Sequence, residues 1–296
     1  VTEGFRLQTT VVSADAPVLL FGGPYSNLEA THALLAEAAR RGIPPRRIVC
    51  TGDVVAYGAD AAATVELIRD AGIQVVMGNC EESLADRRDD CGCGFAEGST
   101  CDALSAAWYR HATAAIGDAH RAWMADLPRR IDLAIGGRRL AVVHGGVDSI
   151  NRFVFASTPE ADKRAEIATA GGDGIIGGHC GLPFTQILDD RLWHNPGAIG
   201  LPANDGTPRV WFGIITPRAD GLTIEHHPFA YDHATAARKM RTAGLPEGYA
   251  AALATGLWPS LDVLPAAERA AQGRPIEASA VAWPNQRALN ALRNLT

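Results

Sequence analysis

Short apolar runs, many of them β-branched, alternate along the first half of this chain with segments of helical periodicity, and most of the runs stop at or beside glycine. Such alternation is the rhythm of a layered α/β protein, in which helices joining the strands cover the sheet. Residues 17–21 read as the first strand, followed by a Gly22-Gly23-Pro24-Tyr25 loop. A helix over 27–41 comes next, with Leu28, Leu34, Leu35 and Ala38 as apolar positions and Gly42 as its stop. Strands over 47–51 and 73–77 flank a helix over 61–71, and 102–127 is helical with a break at Gly117. Downstream the pattern changes: 131–135, 139–144, 174–177, 185–188, 191–194, 210–215 and 222–226 read as strands, with one helix over 159–170 among them. Gly136-Gly137 and Asp189-Asp190 stand where tight hairpin turns belong. The expected product is an α/β domain over residues 17–229, sheet packed on sheet with helices outside. A segment 1–16 precedes it and an Ala-rich helical extension over 230–296 follows.

Charge and length exclude two classes of function. Lys and Arg total 27 against 33 Asp and Glu, a net charge of -6, and the only basic clusters are pairs such as Arg40-Arg41 and Arg129-Arg130. Neither gives the basic footprint that nucleic-acid binding needs. No apolar run approaches the ~20 residues of a membrane helix, and residues 1–16 lack a basic-then-apolar leader pattern. The expectation is a cytoplasmic protein. Four of the six cysteines, Cys80, Cys91, Cys93 and Cys101, fall in one short stretch. In a cytosolic chain such bunching points to metal or redox chemistry before structural disulfides.

Asp53, Asn79, His144 and His179 each stand at or just past the end of an expected strand, beside glycine. Ligand sites in open α/β sheets gather outside the carboxyl ends of strands, so these four side chains can converge. Two imidazoles, one carboxylate and one amide oxygen suit Zn, Mn or Fe(II). Taken singly, an Asp after a strand also serves as a turn or cap residue. A Gly-His-Cys-Gly loop, by contrast, has little packing value of its own.

The order of these blocks resembles the calcineurin-like metallophosphoesterase superfamily, and more closely its small bacterial phosphodiesterase-type members, over residues 17–229. The blocks are Gly22-Gly23-Pro24-Tyr25-Ser26-Asn27-Leu28-Glu29-Ala30, Gly52-Asp53, Gly78-Asn79-Cys80-Glu81, His144-Gly145-Gly146, Gly178-His179-Cys180-Gly181 and Asn195-Pro196-Gly197. The resemblance implies a four-layer αββα sandwich and a two-metal site from which selected ligands have gone. The private ligands of one metal fall at Gly23, Tyr25 and Gly181, none of which keeps the family's Asp or His. The other metal's set, Asp53, Asn79, His144 and His179, is complete. The second position is then either empty or rebuilt with thiols. The family's general-acid His is replaced by Cys80.

These substitutions leave alternatives open. Cys80 can donate a proton, ligate a cation as thiolate, or fill a small buried gap. Tyr25 can bind substrate, ligate ferric iron, or occupy the volume a metal has vacated. Cys91, Cys93 and Cys101 form a C-x-C-x7-C pattern that suits a disulfide, a metal or a redox thiol set; Cys180 is a fourth candidate and Cys50 reads as a core thiol. Asn27 and Arg152 are candidate substrate contacts, the guanidinium for an anionic group. The resemblance implies a hydrolase acting on a small phosphorylated substrate with one divalent cation; Tyr25, Cys80 or the substrate itself is then left to move the proton. Two rivals are a non-hydrolytic metal or thiol protein on the same scaffold and a ligand-binding pseudoenzyme. The extension is a candidate surface for pairing with a second copy.

Overall fold

Val18–Phe21 (β2) is apolar and buried at every position, which requires a covering layer on each face. Val18 and Leu20 point into the core between two sheets, and Leu19 and Phe21 into the core beneath helices. The period of two thus assigns alternate residues of one strand to two different cores. The computed structural model describes residues 9–285; residues 1–8 of the N-terminal segment and 286–296 of the extension lie outside the described residues.

In chain order the elements are β1 (Thr9–Ala14), β2, α1 (Leu28–Arg40), β3 (Ile48–Cys50), α2 (Ala61–Ala71), β4 (Gln74–Val75), α3 (Asn79–Ala85), α4 (Thr100–Ala115), α5 (Asp118–Ala125), β5 (Arg130–Ile135), β6 (Arg138–Val142), α6 (Glu160–Ala170), β7 (Gly174–Ile176), β8 (Phe184–Leu188), β9 (Arg191–Asn195), β10 (Val210–Arg218), β11 (Gly221–Phe229), α7 (His233–Thr242), α8 (Glu247–Thr255), α9 (Ala266–Ala270) and β12 (Ser279–Pro284). Two six-stranded sheets result, ordered β1-β5-β6-β7-β9-β8 and β12-β11-β10-β2-β3-β4. Ile131, Leu133, Leu140 and Val142 of the first sheet meet Val18, Leu20, Val49 and Ile215 of the second. Ile167 and Ala170 of α6 cover the far face of the first sheet through Ala141, Ile175 and Trp193. The N-terminal helices cover the far face of the second. The layers are therefore αββα, the sandwich that the block order implied.

Both expected hairpin turns are present. Gly136 and Gly137 have φ of 55° and 78°, and Asp189 and Asp190 have φ of 50° and 62°. Positive φ at both central residues is what a two-residue hairpin requires.

The extension is helical over α7 to α9, and it adds a strand that the Ala-rich composition concealed. Pairing of β12 with β11 places Gly221 opposite Pro284 and buries Trp283 in the core between the sheets. The Trp283 indole N–H donates to Asp190 Oδ1 at 3.0 Å, and the Arg138 guanidinium lies 4.2 Å from its ring centroid. Truncating such a side chain costs about 3–5 kcal/mol. At the other end of the chain, β1 pairs in parallel with β5, Thr9 opposite Arg130, so residues 9–14 also belong to a sheet. Lys239 ties α7 to the N-terminal helices through Glu29 at 2.5 Å and Asp60 at 2.8 Å.

Candidate metal centre

The loops after β3, β4, β6 and β7 meet at one end of the two sheets, and each delivers one candidate ligand. Gly52 makes the close approach feasible. Its φ is 95°, and a Cβ there would fall 2.8 Å from His144 Nδ1 and 2.8 Å from the Gly78 nitrogen. Asp53 and His179 follow with φ of 57° each, the left-handed region that costs a non-glycine residue about 1–3 kcal/mol and is held only where surrounding bonds enforce it.

One buried carboxylate supplies much of that enforcement. Glu81 accepts from the Asp53 N–H at 2.8 Å, the Gly78 N–H at 3.0 Å and the Val55 N–H at 3.2 Å, bracing two loops from the first turn of α3. Burial, and then the Asp53 charge, push its carboxyl up to about 7. The sequence carried a signal for this residue: an acid three positions after the residue that precedes a helix is half of a capping box. Gly-Asn-Cys-Glu thus opens α3, a helix absent from the elements expected of the sequence.

The four expected ligands come together. His144 Nε2 lies 3.0 Å from Asn79 Oδ1, 3.1 Å from His179 Nδ1 and 3.3 Å from Asp53 Oδ2. Ligand atoms of Asp53, His144 and His179 all fall within 4.8 Å of one another. A tetrahedral ion with bonds of 2.0–2.2 Å separates its ligands by about 3.3–3.6 Å, close to the observed spacing. Protons decide what the cluster can hold. His144 Nδ1 faces the Thr51 carbonyl at 2.6 Å, and a carbonyl only accepts, so Nδ1 carries the hydrogen and Nε2 presents a lone pair. Asn79 Nδ2 donates to the Cys91 carbonyl at 2.9 Å, which turns Oδ1 towards the same point. Asp53 adds a carboxylate oxygen. Three electron-pair donors thus face one centre with His179 Nδ1 as the fourth, a set that fits a divalent cation.

Burial and charge shape the same groups. For His144, burial opposes the charged ring but the Asp53 carboxylate outweighs it, so the ring is more basic than usual. Burial also opposes the Asp53 charge; His144 first and then His179 outweigh it and hold the carboxyl below its ordinary range. The His179 ring is pushed down to about 3 by burial and by His144.

The second position of the implied pair holds a ring. A Cβ on Gly23 would fall 2.2 Å from Tyr25 Cζ, and one on Gly181 would fall 3.5 Å from Tyr25 Oη. The Tyr25 side chain therefore lies over both places where the resemblance put private ligands, and it is 6% exposed. Its ring fills the space beside Gly23 and Gly181. Burial, with Asp53 next, pushes its phenol well above the ordinary value.

The cysteines near the site are engaged with other partners. Cys80 is buried beneath the site, its N–H donating to Asp53 Oδ1 at 3.2 Å and its sulfur 3.5 Å from Asn79 Nδ2. Burial, and then Asp53, push its thiol well above the ordinary value. Cys91 and Cys93 form a disulfide whose Cys93 sulfur lies 3.4 Å from Asn79 Nδ2. Cys180 accepts from Asn195 Nδ2 at 3.2 Å, Cys101 faces the pocket beside Ser260, and Cys50 is buried on its strand. The set of converging ligands contains no cysteine.

The two expected substrate contacts lie elsewhere. Asn27 caps α1, its Oδ1 accepting from the Ala30 N–H at 3.1 Å while Nδ2 donates to the Gly200 carbonyl and the Tyr231 hydroxyl, both at 3.1 Å. Arg152 is paired with Glu166 and lies 3.8 Å from Asp162. A pocket does open onto Asp53 and His179, but Tyr25, Tyr57, Phe95, Phe153, Tyr249 and Trp258 dominate its lining.

Comparison with known proteins places this geometry. A family model described as the calcineurin-like phosphoesterase superfamily domain matches residues 26–217. An uncharacterized protein of Methanocaldococcus jannaschii is 26% identical over 238 residues, covering 75% of this chain and 91% of that protein. A metallophosphoesterase from Sphaerobacter thermophilus superposes with a TM-score of 0.63 at 25% identity, covering 82% of this chain and 100% of its own. A hypothetical protein from Pyrococcus horikoshii shares the fold with a TM-score of 0.69 at 17% identity, covering 82% of this chain and 99% of its own. Among the described residues no helix is long and apolar enough to cross a membrane.

Proposed function

The chain belongs to the calcineurin-like phosphoesterase superfamily, and on that premise we propose that it hydrolyses phosphoester bonds with one divalent cation, Zn, Mn or Fe(II), held by Asp53, Asn79, His144 and His179. The observation that supports this reading is the approach of an amide oxygen and a carboxylate oxygen to within 3.3 Å of His144 Nε2, each turned inward by its own partner. When bound, the cation supplies Lewis-acid polarisation of a phosphoryl oxygen and makes water more acidic. The protein's residues do the rest. Thr51 fixes the tautomer of His144, the Cys91 carbonyl fixes the Asn79 amide, and Glu81 holds the Asp53 loop. Tyr25 closes one side, so substrate enters from the aromatic pocket. Its hydroxyl, on a residue that lines the pocket as Cys80 does not, is the proton-bearing group assigned to the reaction. Without a second cation, the attacking and leaving oxygens lack a two-sided clamp, so turnover is slow or restricted to few esters.

The test combines metal content with turnover. Protein purified without added metal should contain about one equivalent of Zn, Mn or Fe and hydrolyse bis(4-nitrophenyl) phosphate. His179→Ala should lose both; unchanged metal content in that variant would remove the assignment. One observation favours a second reading, a metal protein governed by thiols: the disulfide-bonded Cys91 also holds the ligand Asn79. Retained metal with no hydrolysis would favour it.

A further inference from the structure

The pocket that opens onto Asp53 and His179 is built largely of rings. Tyr57 stacks on Tyr249 with centroids 4.5 Å apart and meets Tyr25 edge-on at 4.8 Å. Phe153 lies 4.1 Å from the His179 ring, with Phe95 stacked beyond it at 6.5 Å. Trp258 is fixed from two sides, its indole N–H donating to the Pro202 carbonyl at 2.6 Å and its backbone N–H to Asn204 Oδ1 at 2.8 Å. Tyr249 comes from α8 and Trp258 from the segment after it, so the C-terminal extension supplies part of the wall.

Charge narrows the occupant further. Among the described residues no Lys or Arg lines this pocket, and Arg152 is paired with Glu166. A cation on the four ligands would be the main positive centre available to a substrate. A polyphosphate or a sugar phosphate would leave charges or hydroxyls facing rings, and burying such groups without partners is costly. A flat apolar group gains from the same surface, since aromatic pairs add to simple burial.

We propose that the substrate is a singly charged phosphodiester carrying an aromatic ring, the phosphoryl group at the four-ligand site and the ring against Trp258 and the Tyr57–Tyr249 pair. This rests on the phosphoesterase reading, and Trp258 and Tyr249 are then the residues that set specificity.

Two inert monoanions that differ only in the ring test it: monomethyl phenylphosphonate and monomethyl methylphosphonate, titrated calorimetrically into Mn-loaded full-length protein. The phenyl compound should bind at least about tenfold tighter. Trp258→Leu and Tyr249→Leu, each checked for folding by circular dichroism, should remove most of that ratio, weakening the phenyl compound far more than the methyl one. Equal affinities in the wild type overturn the proposal, as does failure of both compounds to bind. A full ratio in both folded variants overturns the assignment of the wall. The hydrolase reading stands or falls separately. Ring-selective binding without turnover of bis(4-nitrophenyl) phosphate supports the ligand class and sinks hydrolysis, whereas turnover without ring selectivity does the reverse.

Discussion

Asn79 serves the candidate centre with one atom of its amide and the cysteine loop with the other. Because Nδ2 is spent on the Cys91 carbonyl, Oδ1 is aimed at His144 without searching among rotamers. The disulfide to Cys93 restrains that carbonyl, so loop chemistry and ligand orientation are linked. Partners of this kind, one bond removed from a metal, are worth about 10–100-fold in affinity. Replacing Cys91 and Cys93 with Ser, or reducing the wild type with a dithiol, should therefore weaken metal binding about tenfold. Competition with a chromogenic chelator measures it, and an affinity unmoved by either treatment would show the loop to be a bystander. The sequence located these cysteines near the site but not their role, because a C-x-C spacing suits a disulfide and a metal equally well.

At the scale of elements, two strands from different sheets are joined through a histidine. His226 on β11 donates from Nε2 to the Asn195 carbonyl on β9 at 2.9 Å, and its Nδ1 lies 3.2 Å from the Ser279 hydroxyl on β12. His194 lies beside it, ring centroids 4.8 Å apart. Burial pushes His226 down to about 4 and His194 well below its ordinary 6.5. The folded protein thus keeps both rings neutral at a pH where the unfolded chain protonates them. Below about 6.5 the unfolded state binds more protons, so stability falls as pH drops and is unaffected by these groups above that point. For His226 alone the loss between pH 7 and pH 5 is about 2 kcal/mol. Urea unfolding at the two pH values should show a steeper loss in the wild type than in His226→Gln, and equal losses would refute the link. This tie was invisible beforehand. His194 and His226 are ordinary strand-end histidines until the strands are placed. The same holds for β12, where Ser279, Ala280 and Ala282 have weak strand preference and burial of Trp283 helps to pin the pairing.

For the molecule as a whole, the layering was legible because periodicity is a local property and both cores are long. The candidate metal ligands were legible for a related reason: each stands at the end of its own strand beside glycine. The pocket was not. Tyr25, Tyr57, Phe95, Phe153, Tyr249 and Trp258 are scattered from one end of the chain to the other, and a ring in a helical pattern reads as core. Nor could spacing show that Asn27 is consumed as a helix cap and Arg152 by Glu166, since each is settled by what folds against it.

The ring at Tyr25 also bears on descent. A side chain at position 23 collides with the Tyr25 ring where it now lies, a Cβ there falling 2.2 Å from Cζ. The two positions therefore form an epistatic pair. Gly23→Asp alone should be strongly destabilising, while Gly23→Asp with Tyr25→His should recover about 1–3 kcal/mol relative to the sum of the single changes. Thermal melts of the four members of that cycle measure the coupling, and simple additivity would remove the claim. If the coupling holds, a lineage that has taken this step cannot retrace it one residue at a time.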